Sequence, residues 1–295
     1  AHMADRERLE WLTQLDEAAA LAAEITQRLV AGGNLPANAS VAEVAGRVES
    51  RFALEDAQTA YADTLRRLVG LLGLSHDVAL RFPERLPRLP ANDPTPRPDW
   101  ADVHLDLAQL RGELGSARKQ IRAAATSTWT DGLELGWAWD RETSGEWKDG
   151  PSVGVSLPLF DTGQARRHAL RYQVDRLEAR LQQRQAEITL EQHQWLARMQ
   201  RARARVEAVR EDVLPLLDQA QATALLEYNA MQKSPNHLLE LKRRELTALL
   251  QLVQGLHDYW QARTALEALN MGVSLAAAPE ISGPALSAPG TAGGH

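Results

Sequence analysis

The chain reads as a mainly α protein: long antiparallel α-helical hairpins of coiled-coil character with one β-hairpin between them. Three observations predict this. A seven-residue apolar series, Val174, Leu181, Ile188, Trp195, Ala202, Val209 and Leu216, runs through one long helical pattern. Two breaker clusters, AGGNLPANAS at 31–40 and YNAMQKSPNH at 228–237, each lie between helical patterns. Two stretches alternate strictly, Leu133, Leu135, Trp137 and Trp139 in one, Val153, Val155, Leu157 and Leu159 in the other.

Composition narrows the class. Charged residues make up 24% of 295 and the net charge is −6, which argues against a general nucleic-acid binder. With no cysteine there is no disulfide, thiolate metal site or Cys nucleophile. No apolar run is long enough for a transmembrane helix. Residues 1–3 (AHM) resemble a cloning remnant, and ADRERLEWL after them is charged, unlike a signal peptide. Four of the eight Trp fall between 129 and 147, which sets that segment apart.

Taken in order, residues 4–73 form a helical hairpin. Its first helix carries Leu9, Leu12, Leu15, Ala19, Ala22, Ile25 and Leu29, and its tip lies near 31–40. Ser40 and Glu43 predict a capping box at the start of the second helix, which ends near Gly73. Residues 74–98 hold six prolines and read as an extended linker. A helix over 99–127 follows, with Asp99 as its expected N-cap. Residues 130–160 are the β-hairpin. Asp161 and Gly163 suit a helix cap and turn, opening a long helical hairpin over 161–272 with its tip near 229–237. Its first arm, about seventy residues, would reach roughly 105 Å, with a local bend at Pro215. The return arm repeats Leu239, Leu246, Val253 and Trp260 at the same interval. Residues 273–295 have the composition of a disordered tail.

The β-hairpin is the chemically distinctive part. Its large apolar residues fall on one face, while Glu134, Gly136, Ala138, Ser152 and Gly154 make the other small or polar. Such a ribbon is not stable alone in water. Its pattern fits either packing on its own helices or an apolar-out strand pair of a membrane barrel. A barrel must close, so several chains or several hairpins would be needed.

No catalytic, cofactor or metal motif stands out. The eight histidines are scattered, with no His-x-x-x-His pair and no HExxH. There is no P-loop, G-x-G-x-x-G or G-x-S-x-G. The basic run Arg198, Arg201, Arg203 and Arg205 could suggest phosphate binding, but Glu207, Glu211 and Asp212 follow closely, and a solvated helix face is the simpler reading. Trp137, Trp139 and Trp147 suit an interface between apolar and wet surroundings. No enzyme activity, cofactor or metal is expected.

Several motifs in order resemble the TolC family of outer membrane efflux channels. LVAGGNLP is similar to the family's first helix-tip loop and LRRLVGLLGL to the close of the following helix. LPRLP and RPDW resemble its proline linker and next helix start. GPSVGVSLPLFDTGQARR is similar to the strand-to-helix junction, VLPLLDQAQATALLEYNAMQKSPNHLLELKRREL to the second tip, and YWQARTALEALNMG to the final helix. The resemblance covers about residues 9–272 and implies a homotrimer in the outer membrane and periplasm. There, a shared β-barrel continues into an α-helical tunnel, and the helix tips dock on a periplasmic adaptor protein and an inner-membrane pump. It implies a passive conduit for metal ions or small organic compounds. It also makes Leu133, Leu135, Trp137, Trp139, Val153, Val155, Leu157 and Leu159 the face toward lipid or a sister chain. Gly33, Asn34, Leu35, Tyr228, Ser234 and Leu238 become the adaptor contacts. Two departures stand out. The chain begins inside the family's first long helix, without that repeat's own hairpin, so three copies would bring six strands. The second tip carries Met231 where the family usually has glycine. The alternative reading is a soluble periplasmic TolC-like scaffold or interaction protein without a complete barrel.

Overall fold

The structure is a computed structural model that describes residues 1–74, 80–130, 133–141, 145, 147–155 and 164–275. Its elements are α1 (His2–Ala31), α2 (Ala37–Leu72), α3 (Trp100–Val103), α4 (Leu105–Thr130), β1 (Leu133–Arg141), β2 (Trp147–Val155), α5 (Gln164–Ala208), a π-helical turn (Val209–Val213), α6 (Leu214–Asn229) and α7 (Pro235–Asn270). Among the described residues the fold is mainly helical with one antiparallel pair of strands, as the periodicity predicts. Two compact units result, Ala1–Thr95 with Gln194–Leu266, and Pro96–His193 with Glu267–Leu275.

In the first unit, α1 and α2 form the first hairpin and α6 and α7 the second. Leu12, Leu15 and Ala18 of α1, Ala57 of α2 and Leu246 of α7 share one core, with Leu246 fully buried. Small residues on α1 (Ala18, Ala19, Ala22 and Ala23) are buried in a row, which lets neighbouring helices approach closely. Gly255 of α7 serves the same end: a Cβ there would meet Val206 Cγ2 at 2.7 Å. By contrast α2 buries only Ser50 and Ala57, and Val41, Val44, Val48 and Phe52 lie exposed along one stripe.

The π-helical turn changes the apolar series. Trp195, Ala202 and Val209 are buried at seven-residue spacing, but Leu216, the next member predicted, is 64% exposed. The seam passes instead to Leu217, half-buried, and Ala224, 2% exposed. One extra residue has entered the helix. Pro215 is the cause nearest at hand, since it has no N–H to give the carbonyl four residues back and its ring crowds that carbonyl. The backbone answers with a wider turn in which Leu214 N–H reaches Val209 O.

Neither predicted cap makes a side-chain capping bond. α2 starts at Ala37, after Pro36, and Ser40 lies inside it, donating to Ala37 O at 2.8 Å. The proline supplies the extended entry that a capping serine would otherwise set. Asp99 stands at the N-cap position of α3, as predicted, but its carboxylate goes to Arg97, at 2.6 Å, and makes no capping bond.

In the second unit the helix predicted over 99–127 is in two pieces, broken at His104, and the longer piece runs to Thr130. The break has a tertiary cause. Leu105 N–H donates to Gly272 O at 3.0 Å, so the chain turns out of the helix to make a bond with a distant segment. His104 is fully buried there, its Nε2 3.3 Å from Ser274 Oγ, and burial lowers its pKa below the ordinary value. Leu114 and Ala117 of α4 pack on Val174 and Leu177 of α5, with Arg118–Glu178 (2.7 Å) and Arg184–Asp106 (2.7 Å) flanking them.

Candidate functional site

Three features of the described residues are built in ways that ordinary packing does not require: the strand pair, the two helix tips and the seat of the proline linker.

The strands pair Leu133 with Val155, Leu135 with Val153, Trp137 with Pro151, Trp139 with Asp149 and Arg141 with Trp147. Residues directly opposite in an antiparallel pair share a face. Six of the eight predicted face residues therefore come together at alternate register positions, and Trp147 joins them. Leu157 and Leu159 lie outside the described residues, as do Asp161 and Gly163. Among the described side chains here, Trp137, Trp139, Trp147 and Val153 are all more than half exposed, Trp139 reaching 72%. The opposite register positions, from Glu134 with Gly154 to Asp140 with Lys148, are small or polar.

Both tips use one backbone device. In the first, Asn34 N–H reaches back to Leu29 O and Gly33 N–H to Val30 O, with Gly33 at φ +74°. In the second, Gln232 N–H reaches Glu227 O and Met231 N–H reaches Tyr228 O, with Met231 at φ +57°. This is the Schellman ending, whose pivotal residue is left-handed and favours glycine. α2 and α7 end the same way on Gly73 and Gly272, so Met231 is the one side chain among these four pivots. It is 95% exposed and makes no packing that offsets the strain. Met231→Gly is expected to raise stability by about 1 kcal/mol, read as a higher urea midpoint at unchanged slope. Of the predicted contact residues, Gly33, Asn34, Tyr228 and Ser234 are exposed while Leu35 and Leu238 are half-buried. Sequence reasoning missed Leu226, which with Met231 presents more apolar surface at the second tip than Tyr228 does.

The two hairpins are tied together close to these tips. Arg243 of α7 pairs with Glu43 of α2 at 2.6 Å, both side chains about a quarter exposed. Asn236 Nδ2 donates to buried Thr26 Oγ1 at 3.0 Å. Thus Glu43, predicted as a local cap, is used for a long-range ion pair.

The linker is held by its carbonyls and by one aspartate. Asp93 receives Arg203 Nε at 2.9 Å and Nη2 at 2.7 Å, and Tyr259 OH at 2.6 Å. Arg203 also donates to Pro90 O at 2.6 Å, Trp260 Nε1 to Pro87 O at 3.0 Å, and Leu86 N–H to the Glu7 carboxylate. A proline-rich segment has no helix to satisfy its carbonyls, so they are free to accept such bonds. Burial pushes the Asp93 carboxyl up, but the bonds from Arg203 and Tyr259 and the charges of Arg203 and Arg263 pull it down further, to a net position below the usual range. Arg203, the residue predicted to belong to a solvated basic run, is the hub of this seat. Arg198, Arg201 and Arg205 point elsewhere, into one groove.

Among the described residues, no group of three or more His, Asp or Glu stands close enough to hold a metal ion. No helix among them is long and apolar enough to cross a membrane.

Paired helical hairpins ending in matched tips, with an antiparallel ribbon on a separate unit, define the class: the chain has the TolC-type fold of outer membrane channels. It is similar to a membrane protein from Pseudomonas aeruginosa, at TM-score 0.72 and 19% identity, covering 93% of this chain and 64% of that one. It is similar to CusC, whose structures describe folding and transmembrane channel formation, at TM-score 0.65 and 15% identity over 92% and 66%. The outer membrane protein VceC of Vibrio cholerae gives TM-score 0.64 and 15% identity over 92% and 67%. The likeness is one of fold. The chain spans less than two thirds of the length of the Pseudomonas protein. No protein-family model matches the sequence, and no curated protein matches it.

Proposed function

We propose that the chain is a subunit of an outer membrane efflux channel, a passive conduit that carries metal ions or small organic compounds outward. The observation that carries this reading is the strand pair. Two strands with Trp137, Trp139, Trp147 and Val153 turned to solvent do not persist alone in water. Lipid on one side and sister strands at both edges remove that cost. The stripe Val41, Val44, Val48 and Phe52 on α2 supports the same conclusion, since helical-repeat apolar positions left uncovered in one chain are what neighbouring subunits cover.

In this reading the chain assembles as a homotrimer. Leu133, Leu135, Trp137, Trp139, Val153 and Val155 face lipid or a sister chain, and the tips at Gly33–Leu35 and Tyr228–Leu238 meet a periplasmic adaptor working with an inner-membrane pump. No bond is made or broken by the protein. The Glu43–Arg243 pair and the Asn236–Thr26 bond hold the two hairpins together near the tips, as a closed entrance needs.

Mass measurement with and without detergent, followed by planar-bilayer recording, tests the reading. A detergent-requiring trimer that conducts ions supports it. A soluble monomer or dimer without conductance overturns it in favour of a periplasmic scaffold. If the tips form the entrance, Arg243→Ala is expected to raise conductance severalfold while the trimer mass stays unchanged.

A further inference from the structure

Charge is unevenly spread along the helix pair of the second unit. The ion pairs Arg118–Glu178 and Arg184–Asp106 set α4 and α5 antiparallel, so the last half of α4 lies beside the first half of α5. In those two halves, residues 118–130 and 164–176, seven residues are arginine or lysine and one, Asp175, is acidic. The balance is +6 in a chain whose net charge is −6. It stays at +4 when Asp131 and Asp161, the next carboxylates along the sequence, are counted in. The other halves, residues 105–117 and 177–193, carry three basic and five acidic residues. One end of the pair is therefore strongly cationic and the other is not.

Part of this charge is used within the chain. Arg118 pairs with Glu178 at 2.7 Å, and Arg122 and Arg167 have partners of their own. Lys119, Arg166, Arg171 and Arg176 are exposed and make no ion pair among the described residues. The three arginines follow one another at five residues, which sets them roughly 140° apart around α5. They form a collar rather than a pocket: whichever side the helix turns to a charged surface, one or two guanidinium groups meet it. Tyr172, between them, is 73% exposed.

The collar adjoins the strand pair along the chain. β1 begins three residues after α4 ends, and α5 begins nine residues after β2 ends. At that end the strands pair Leu133 with Val155 and Leu135 with Val153, while Trp139 and Trp147 stand toward the other. Apolar surface bordered by arginine and lysine suits a bilayer, with the cations among the headgroups. We propose that this collar binds anionic phospholipid headgroups beside the strand pair, through Lys119, Arg166, Arg171 and Arg176. The proposal rests on the reading that the strand pair faces lipid. Each guanidinium holds a phosphate in a fork of two parallel hydrogen bonds, and each cation near an anionic surface strengthens binding about fivefold. The chain's overall charge of −6 would by itself repel such a surface, so a preference for anionic lipid reports the collar.

Flotation of the purified full chain with vesicles of phosphatidylcholine, alone or mixed with phosphatidylglycerol, tests this. Binding to both is expected, about tenfold stronger on the mixed vesicles, with the difference shrinking at high salt. Arg166→Gln, Arg171→Gln and Arg176→Gln combined should lose about fivefold or more on the mixed vesicles. The same variant should bind phosphatidylcholine as the parent does, with unchanged circular dichroism. Arg47→Gln, Arg67→Gln and Arg210→Gln combined remove equal charge from exposed positions outside the helix pair and should leave the preference as it is. Failure to float with either vesicle overturns the lipid-facing reading of the strand pair, and the collar with it. Equal flotation with both overturns the collar alone, as does an equal loss in the two triple variants.

Discussion

Gly272→Ala is expected to destabilise the chain by about 4 kcal/mol, far more than the same change at Gly33. Both glycines are left-handed pivots of Schellman endings. A side chain at either carries the left-handed strain of roughly 1–2 kcal/mol. Around Gly33 there is open space, and that strain is the whole cost. At Gly272 a Cβ would stand 2.3 Å from Val103 O and 2.8 Å from Val103 C, both backbone atoms. Relief requires moving the α3 end away from the α7 end, and the Leu105–Gly272 bond and the buried His104 move with it. Equilibrium urea denaturation of the two variants decides the matter. Equal losses would show that the Val103 contact yields easily and that only the backbone angle counts.

The second large effect is expected at the linker seat. Arg203→Ala removes two bonds to Asp93 and one to Pro90 O, and leaves Asp93 partly buried beside Tyr259. A loss of about 3 kcal/mol is expected, since breaking one partner of a sequestered pair strands the other charge. The pair is about a quarter exposed, which keeps the figure at the lower end for such pairs. The pH dependence has a definite sign. Because the folded Asp93 carboxyl titrates below its ordinary value, the unfolded chain binds the proton more readily, and stability falls with falling pH. The contribution is complete above the unfolded value, about 4, and is lost as pH drops through the lower folded value. Arg203 itself stays charged throughout, its pKa raised by the bond to Asp93. Denaturation midpoints of the parent should therefore fall first below about pH 6.5, where the unfolded chain protonates His104 and the buried ring resists it. They should fall further below about 4, where the Asp93 contribution is lost, and Asp93→Asn should show a shallower drop in that lower range alone. An identical acid profile in parent and Asp93→Asn would remove Asp93 from the account.

Much of the architecture was legible because it rests on short-range period. A seven-residue spacing specifies a helix seam, alternation specifies a strand, and Gly, Asn and Pro clusters stop both. The ribbon was readable for the same reason: Leu133 to Trp139 and Val153 to Val155 announce their shared face by position alone. The tips were readable as loops, but their common backbone device was not, because Met231 hides at a position that glycine marks in the other three.

What the residues determined by themselves is therefore the kind and order of elements, and the apolar face of the ribbon. What only the tertiary structure decided is which polar groups meet. Asp93 and Arg203 lie 110 residues apart, Glu43 and Arg243 lie 200 apart, and no local rule joins either pair. The helix break at His104 and the slip of the seam from Leu216 to Leu217 belong with them. Each arises where a backbone group finds its partner outside its own turn or lacks one within it, and a local period carries no record of that.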